Sequence, residues 1–233
     1  MKKLSLILPV LLFLNCTTLT DPSKVKVVGA MRNVMWKGEL AGTIALDTIQ
    51  SREGLYGLGP TDYLDGELLI LNGKSYVSRV NTDGTIRMEE TFQAHAPFFV
   101  YANVSEWKEL DLDGIASIQA LEEYLTTIKG EVNRPFAFGM KGRVAKATIH
   151  VQNLPKGSKV SSPADAHVGQ MKYEIVDEEV EIVGFYSTEH QGIFTHHDSY
   201  VHIHLITTDR TKMGHLDQVV FEDDVQVFIP KRI

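Results

Sequence analysis

The sequence predicts an α+β fold, predominantly β, with two packed β-sheet halves joined by a helix and a metal site on the C-terminal sheet. Three observations predict it. Short apolar, β-branched runs alternate with turn residues about every ten positions. Only one stretch carries a clear helical period. Near the C-terminus, histidines alternate with aliphatic residues as they would on one face of a strand.

The first fifteen residues are expected to be a signal peptide. Lys2 and Lys3 give a positive start, and Leu4 to Leu14 is an apolar run too short to span a bilayer but suited to a signal core. Cys16 follows, the only cysteine of the chain, where a bacterial lipoprotein signal is cut and lipidated. An ordinary cleaved signal with Cys16 merely nearby is the alternative. Residues 16–30 then read as a tether and 31–233 as the folded domain, with an N-terminal sheet (31–112), a helix (113–130) and a C-terminal sheet (135–233). With Cys16 acylated no disulfide can form, so the fold must rest on its core.

Thr43 to Ile49 and Glu67 to Leu71 are strand-like. Asn72-Gly73 is a hairpin turn into Ser75 to Val80, and Asp83-Gly84 is a second turn signal. Pro97 to Asn103 is apolar and aromatic, a buried strand. Ile115, Ile118, Leu121, Leu125 and Ile128 recur at spacings of three and four, with Asp113 as the expected cap and Gly130 as the stop. Strands resume at Phe136 to Met140, Arg143 to Gln152, Glu179 to Phe185, Tyr200 to Thr207, His215 to Glu222 and Val225 to Ile229. Leu154 to Ala166 reads as an exposed loop.

The chain has 23 basic against 30 acidic residues, a formal charge of −7, and no basic cluster longer than the pair Lys231-Arg232. Nucleic-acid binding, which relies on neutralising phosphates, is disfavoured. A singly charged anionic substrate remains compatible if a local cation offsets the global field.

The most informative stretch is SYVHIHLITTDRTKMGHLDQVVFE, from Ser199 to Glu222. Alternation puts Tyr200, His202, His204 and Ile206 on one strand face and Val201, Ile203 and Leu205 on the other. Two histidines at i and i+2 can hold one divalent cation. After a polar turn, a returning strand opened by His215 can deliver a third imidazole. Three histidines with an open position suit a catalytic zinc, completed by water or substrate. In a chain with nine histidines the pairing can also arise without a metal, so the residues alone leave the reading open. His196 and His197 add ligand types nearby, though an exposed loop explains them equally. His95, His167 and His190 read as scattered surface or structural residues.

YVHIHLITTDRTKMGH resembles the signature of the acetolactate decarboxylase family: an aromatic-His-x-His strand, an acidic-Arg turn, then Gly-His. GLYGLGPTDYLDGELLILNGKSY (Gly54 to Tyr76) is similar to that family's Gly-rich stretch followed by Leu-Asp-Gly-Glu. APFFVYANV, PFAFGMKGRV and VEIVGFYS fall in the expected order. The resemblance spans most of Met31 to Val227. It implies a zinc ion held by His202, His204 and His215, and an acid/base or hydrogen-bonding role for Glu67; a surface carboxylate after the Asp65-Gly66 turn is the alternative for Glu67. It implies decarboxylation of 2-acetolactate to acetoin and carbon dioxide, with a lipid-anchored zinc- or ligand-binding relative that has lost turnover as the rival. A metal-assisted hydrolase also fits three histidines but has no motif of its own.

The chain departs from the family pattern at three places. The family's substrate-facing arginine falls on His150, which lacks a guanidinium's bidentate fork. On alternation Lys146 and Thr148 share its face, so Lys146 could compensate, while Arg143 should point away. A threonine expected in the Gly-rich stretch falls on Pro60, with Thr61 adjacent. A C-terminal tail that returns a glutamate is expected to be missing after FEDDVQVFIP. The partners implied are a small-molecule 2-hydroxy-3-keto acid, a membrane through the lipid anchor, and a second copy if a homodimer forms. The expected location is extracytoplasmic and membrane-anchored, or secreted if Cys16 is not lipidated.

Overall fold

The computed structural model of the chain describes residues 24–110, 115–128, 135–222 and 225–231. The signal peptide, Cys16, Asp113 and Gly130 lie outside them. In chain order the elements are β1 (Lys26–Gly29), α1 (Met31–Lys37), β2 (Ile44–Ala45), β3 (Leu55–Pro60), β4 (Glu67–Leu71), β5 (Lys74–Val80), β6 (Ile86–Glu90), β7 (His95–Ala96), β8 (Phe98–Asn103) and β9 (Trp107–Leu110). They continue with α2 (Ile118–Ile128), β10 (Phe136–Val151), α3 (Pro163–Ala166), β11 (Met171–Tyr186), β12 (Val201–Thr207), β13 (Met213–Phe221) and β14 (Gln226–Pro230).

The mostly-β class expected from the sequence is what forms, with two main sheets. One six-stranded sheet has the order β1-β8-β3-β4-β5-β6, a second β11-β12-β13-β10-β14-β9, and β2 pairs with β7 in a small two-stranded sheet. The second sheet closes on itself, because β10 pairs with β13 on one edge and with β11 on the other. Closure removes exposed edges from the part of the sheet that carries the histidines.

Alternation explains how the two sheets face each other. On β4, Leu69 packs with Val183, Phe185, Ile206 and Met213 between the sheets, while Leu68 and Ile70 pack outward on Leu46, Ala94 and Phe99. Glu67 is two residues from Leu69, so it also faces the second sheet. On β12, Val201, Ile203 and Leu205 enter the other core with Leu121 and Leu125 of α2. His202 and His204 are thereby turned toward the first sheet.

Several local expectations needed correction. Thr43 to Ile49 is a strand only at β2; Leu46–Thr48 then turns as a 3-10 helix, with the Thr48 hydroxyl donating to the Ala45 carbonyl at 2.6 Å. The helix is real, but Ser117 caps it, its hydroxyl accepting from the Ala120 N–H at 3.2 Å. It connects β9 to β10, both of the second sheet, so it does not join the halves. Trp107 to Leu110 pairs with β14 and leaves the N-terminal sheet expected to hold it. The strands read as Phe136 to Met140 and Arg143 to Gln152 are one 16-residue strand through Gly142, paired with β11 along its length. Tyr200 precedes β12 and packs with the Leu121 core and Tyr186, off the face alternation assigned to it.

Candidate metal centre

Strand register brings the histidines together. His204 on β12 is the cross-strand partner of His215 on β13, and His215 is the partner of His150 on β10. His202 lies two residues from His204 on the same face. Ring centroids are 5.1 Å apart for His202 and His204, 5.0 Å for His202 and His215, and 5.5 Å for His204 and His215. One ligand atom from each of the three falls within 4.8 Å of the others.

The donor set fits a metal. His202 Nδ1 and both ring nitrogens of His204 are buried without a well-formed hydrogen bond, an expensive arrangement unless something else binds there. Burial pushes the His202 and His215 imidazoles well below the usual histidine range, and their histidine neighbours add to the fall. Burial, helped by His150, takes His204 down to about 3, against a weak backbone contact from Leu68. Neutral imidazoles are the form that ligates a divalent cation.

Glu67 reaches this cluster from the facing sheet. Its carboxyl is buried, with Oε2 3.7 Å from His204 Nε2 and Oε1 4.0 Å from His150 Nε2. Both separations are too long for hydrogen bonds. The Gln152 N–H donates to Oε1 at 3.3 Å. Burial holds the Glu67 carboxyl well above the usual range, opposed by that N–H, while Asp217 raises it further. A surface carboxylate is therefore the wrong description of Glu67. The preceding turn is held by Thr61, whose hydroxyl donates to Asp65 Oδ1 at 2.5 Å.

His150 is also buried, its ring tilted against that of His215 with centroids 4.6 Å apart. Its Nδ1 lies 2.6 Å from Asp217 Oδ1, and Lys172 Nζ lies 3.1 Å from Asp217 Oδ2. His150 thus stands in a chain Lys172–Asp217–His150 that ends at Glu67. Lys146 is not the compensating cation: its ammonium pairs with Glu174 at 2.6 Å on the outer surface. Arg143 points away as alternation required, to Asp177 at 2.7 Å.

The sequence reading missed Asp217, Lys172 and Gln152. Asp217 carried a usable signal, two residues beyond His215 on one strand. Lys172 carried none, because its neighbourhood depends on the pairing of β10 with β11. His196, read as equally well an exposed loop residue, is half-buried with its ring 5.1 Å from that of His215. His197 is exposed.

The family model described as alpha-acetolactate decarboxylase matches residues 28–231. The alpha-acetolactate decarboxylase of Streptococcus thermophilus is 26% identical over 196 residues, covering 81% of this chain and 77% of the relative. That of Lactococcus lactis subsp. lactis is 26% identical over 215 residues, covering 91% and 85%. Among solved structures, alpha-acetolactate decarboxylase from Bacillus subtilis strain 168 superposes with a TM-score of 0.73 at 23% identity, covering 91% of this chain and 86% of that one. At that identity the superposition speaks for the fold.

Proposed function

The chain belongs to the alpha-acetolactate decarboxylase family, and on that premise we propose that it is a zinc-dependent carboxy-lyase converting 2-acetolactate to acetoin and carbon dioxide. The observation that carries the reading is the convergence of three imidazoles within 4.8 Å beside the buried carboxyl of Glu67. His202, His204 and His215 would hold the cation, which supplies Lewis acidity to the ketone and hydroxyl oxygens of a 2-hydroxy-3-keto acid.

The remaining work falls to this chain's own side chains. Decarboxylation breaks the bond between the carboxyl carbon and the carbinol carbon, and the electron pair moves into the ketone. The carbinol carbon must then regain a proton. Glu67, kept out of water and with its carboxyl raised in pKa, is suited to carry that proton and deliver it from one side. His150, held by Asp217 at Nδ1, turns Nε2 toward Glu67 and offers one polar contact to the substrate carboxylate where the family pattern has an arginine. A single imidazole orients a carboxylate less firmly than a fork of two N–H groups. This favours reduced efficiency, and it is the observation behind the second reading, a zinc-binding relative without turnover.

The location we propose is extracytoplasmic, with Cys16 as the lipid anchor. The test of function is acetoin formation from racemic acetolactate by the purified zinc-loaded protein, with His202→Ala alongside. Turnover that vanishes in the variant is expected. Stoichiometric zinc with no acetoin would overturn the enzyme reading in favour of the binding protein.

A further inference from the structure

We propose that a second cavity, at the far end of the space between the sheets, binds a small monocarboxylate carrying a flat ring. The cavity has a volume of about 340 Å³ and opens beside the β4–β5 hairpin at Leu71 and Asn72. Leu71 is four residues along β4 from Glu67, about 13 Å away at the rise of a strand. A space of this size holds a ligand of several heavy atoms rather than one water.

Its walls are aromatic. Tyr56 and Trp107 meet edge to face, with centroids 5.0 Å apart and ring planes at 88°, and form a corner against which a flat ring can pack. The Trp107 indole N–H donates to the Tyr56 hydroxyl at 3.3 Å, which leaves that hydroxyl's own proton to donate. Tyr76 lies on the other side, beneath the Arg210 guanidinium at 5.6 Å.

The charges set the sign and size of the ligand's charge. Lys74, Lys141 and Arg210 line the cavity together with Glu181. Glu181 is shared: Oε2 pairs with Arg210, and Oε1 lies 3.3 Å from Lys141. Lys74 pairs with Glu90 at 3.5 Å on the rim. The lining holds three cations against one carboxylate, with Glu90 outside it drawing on Lys74, so the cavity is locally positive on a chain whose formal charge is −7. An anion balances the excess, and a monocarboxylate does so without setting a second negative charge against Glu181.

Arg210, which lines the cavity, sits on a tightly held turn. It holds φ at +63°, a left-handed conformation that costs a non-glycine residue energy and persists where the surroundings enforce it. Asp209 enforces it, accepting from the Thr207 hydroxyl at 2.7 Å and from the Thr211 N–H at 3.0 Å. The acidic-Arg turn between the histidine strands places its arginine in the lining of this cavity, paired with Glu181.

The chain has two tryptophans, and Trp36 is exposed on α1. In a Trp36→Phe background Trp107 alone reports on the cavity. Phenylacetate should change its fluorescence saturably, and the neutral isostere phenylacetamide should bind about tenfold more weakly. Lys141→Gln and Lys74→Gln should each weaken phenylacetate by about fivefold. Lys74 sits on the rim, so its variant serves if replacing a cation beside Glu181 impairs folding. Equal binding of phenylacetamide, displacement by inorganic phosphate at equal affinity, or no saturable change would overturn the proposal.

Discussion

Glu67 approaches two histidines from the opposite sheet without bonding to either, so its substitution separates the proton delivery proposed for it from metal retention. Glu67→Gln keeps the shape and the Gln152 contact but removes the proton. Acetoin formation should fall by about 10²–10⁴-fold with zinc content unchanged; zinc lost together with activity would show that the carboxyl is a ligand instead. Asp217 acts one step further out, through His150 Nδ1. Asp217→Asn leaves volume and backbone alone but lets the imidazole turn or change tautomer. The expected result is a fall in kcat/KM of about tenfold to a hundredfold, carried mainly by KM, at constant zinc stoichiometry. An unchanged KM would remove His150 from the substrate's carboxylate.

At the scale of elements, the site depends on how closely β13 lies on β10. A Cβ at Gly214 would sit 2.4 Å from the His150 carbonyl oxygen, and one at Gly184 would sit 2.1 Å from the Phe138 ring. Both substitutions overpack, at a cost of about 1–3 kcal/mol each. Their consequences should differ. Gly214→Ala pushes apart the strands bearing His150 and His215, so zinc affinity should drop by about tenfold or more beyond the loss of stability. Gly184→Ala disturbs the Phe138 core and should lower the urea midpoint while sparing zinc affinity. Equal zinc affinity in the two variants would mean that the β10–β13 register does not set the site. The register was itself beyond the reach of pattern. β10 carries two irregularities against β13, between Val144 and Lys146 and between Thr148 and Ile149. Simple alternation therefore placed Lys146 beside His150 correctly in face but not in surroundings.

For the whole molecule, burying two imidazoles, most of a third and a carboxyl between two sheets ties stability to pH. Each histidine's folded pKa lies below its unfolded value of about 6.5. Stability is therefore complete above that value and is lost as pH falls toward the folded values. The loss is at most about 1.4 kcal/mol per pH unit for each group. Glu67, with its folded pKa raised, works the other way: its contribution is lost as pH rises from about 4.5. Between about pH 4.5 and 6.5 three histidines oppose one carboxyl, so the metal-free protein should unfold in less urea at about pH 5 than at about pH 7. Added zinc, which the neutral rings would hold, should steepen the trend, because protons and cation would compete for the same nitrogens. A urea midpoint independent of pH in the metal-free protein would contradict the burial of these rings.

By itself the sequence determined the predominantly β class, a helix within residues 113–130, the β4–β5 hairpin and the facing of His202 and His204. Each is written in a local period of two or of three to four, which the chain carries whatever it packs against. The returning strand opened by His215 offered the third imidazole, and the resemblance of the Leu-Asp-Gly-Glu stretch added Glu67 to the same constellation. Only the tertiary structure decided the closed pairing of β10, β11, β12 and β13, which places Lys172, His150, His215 and His204 on neighbouring strands. It alone supplied Asp217 as the partner of His150 and carried Trp107 into the second sheet. These depend on which strand lies beside which, and residues far apart in the chain acquire a shared dielectric and a shared cavity only when register brings them together.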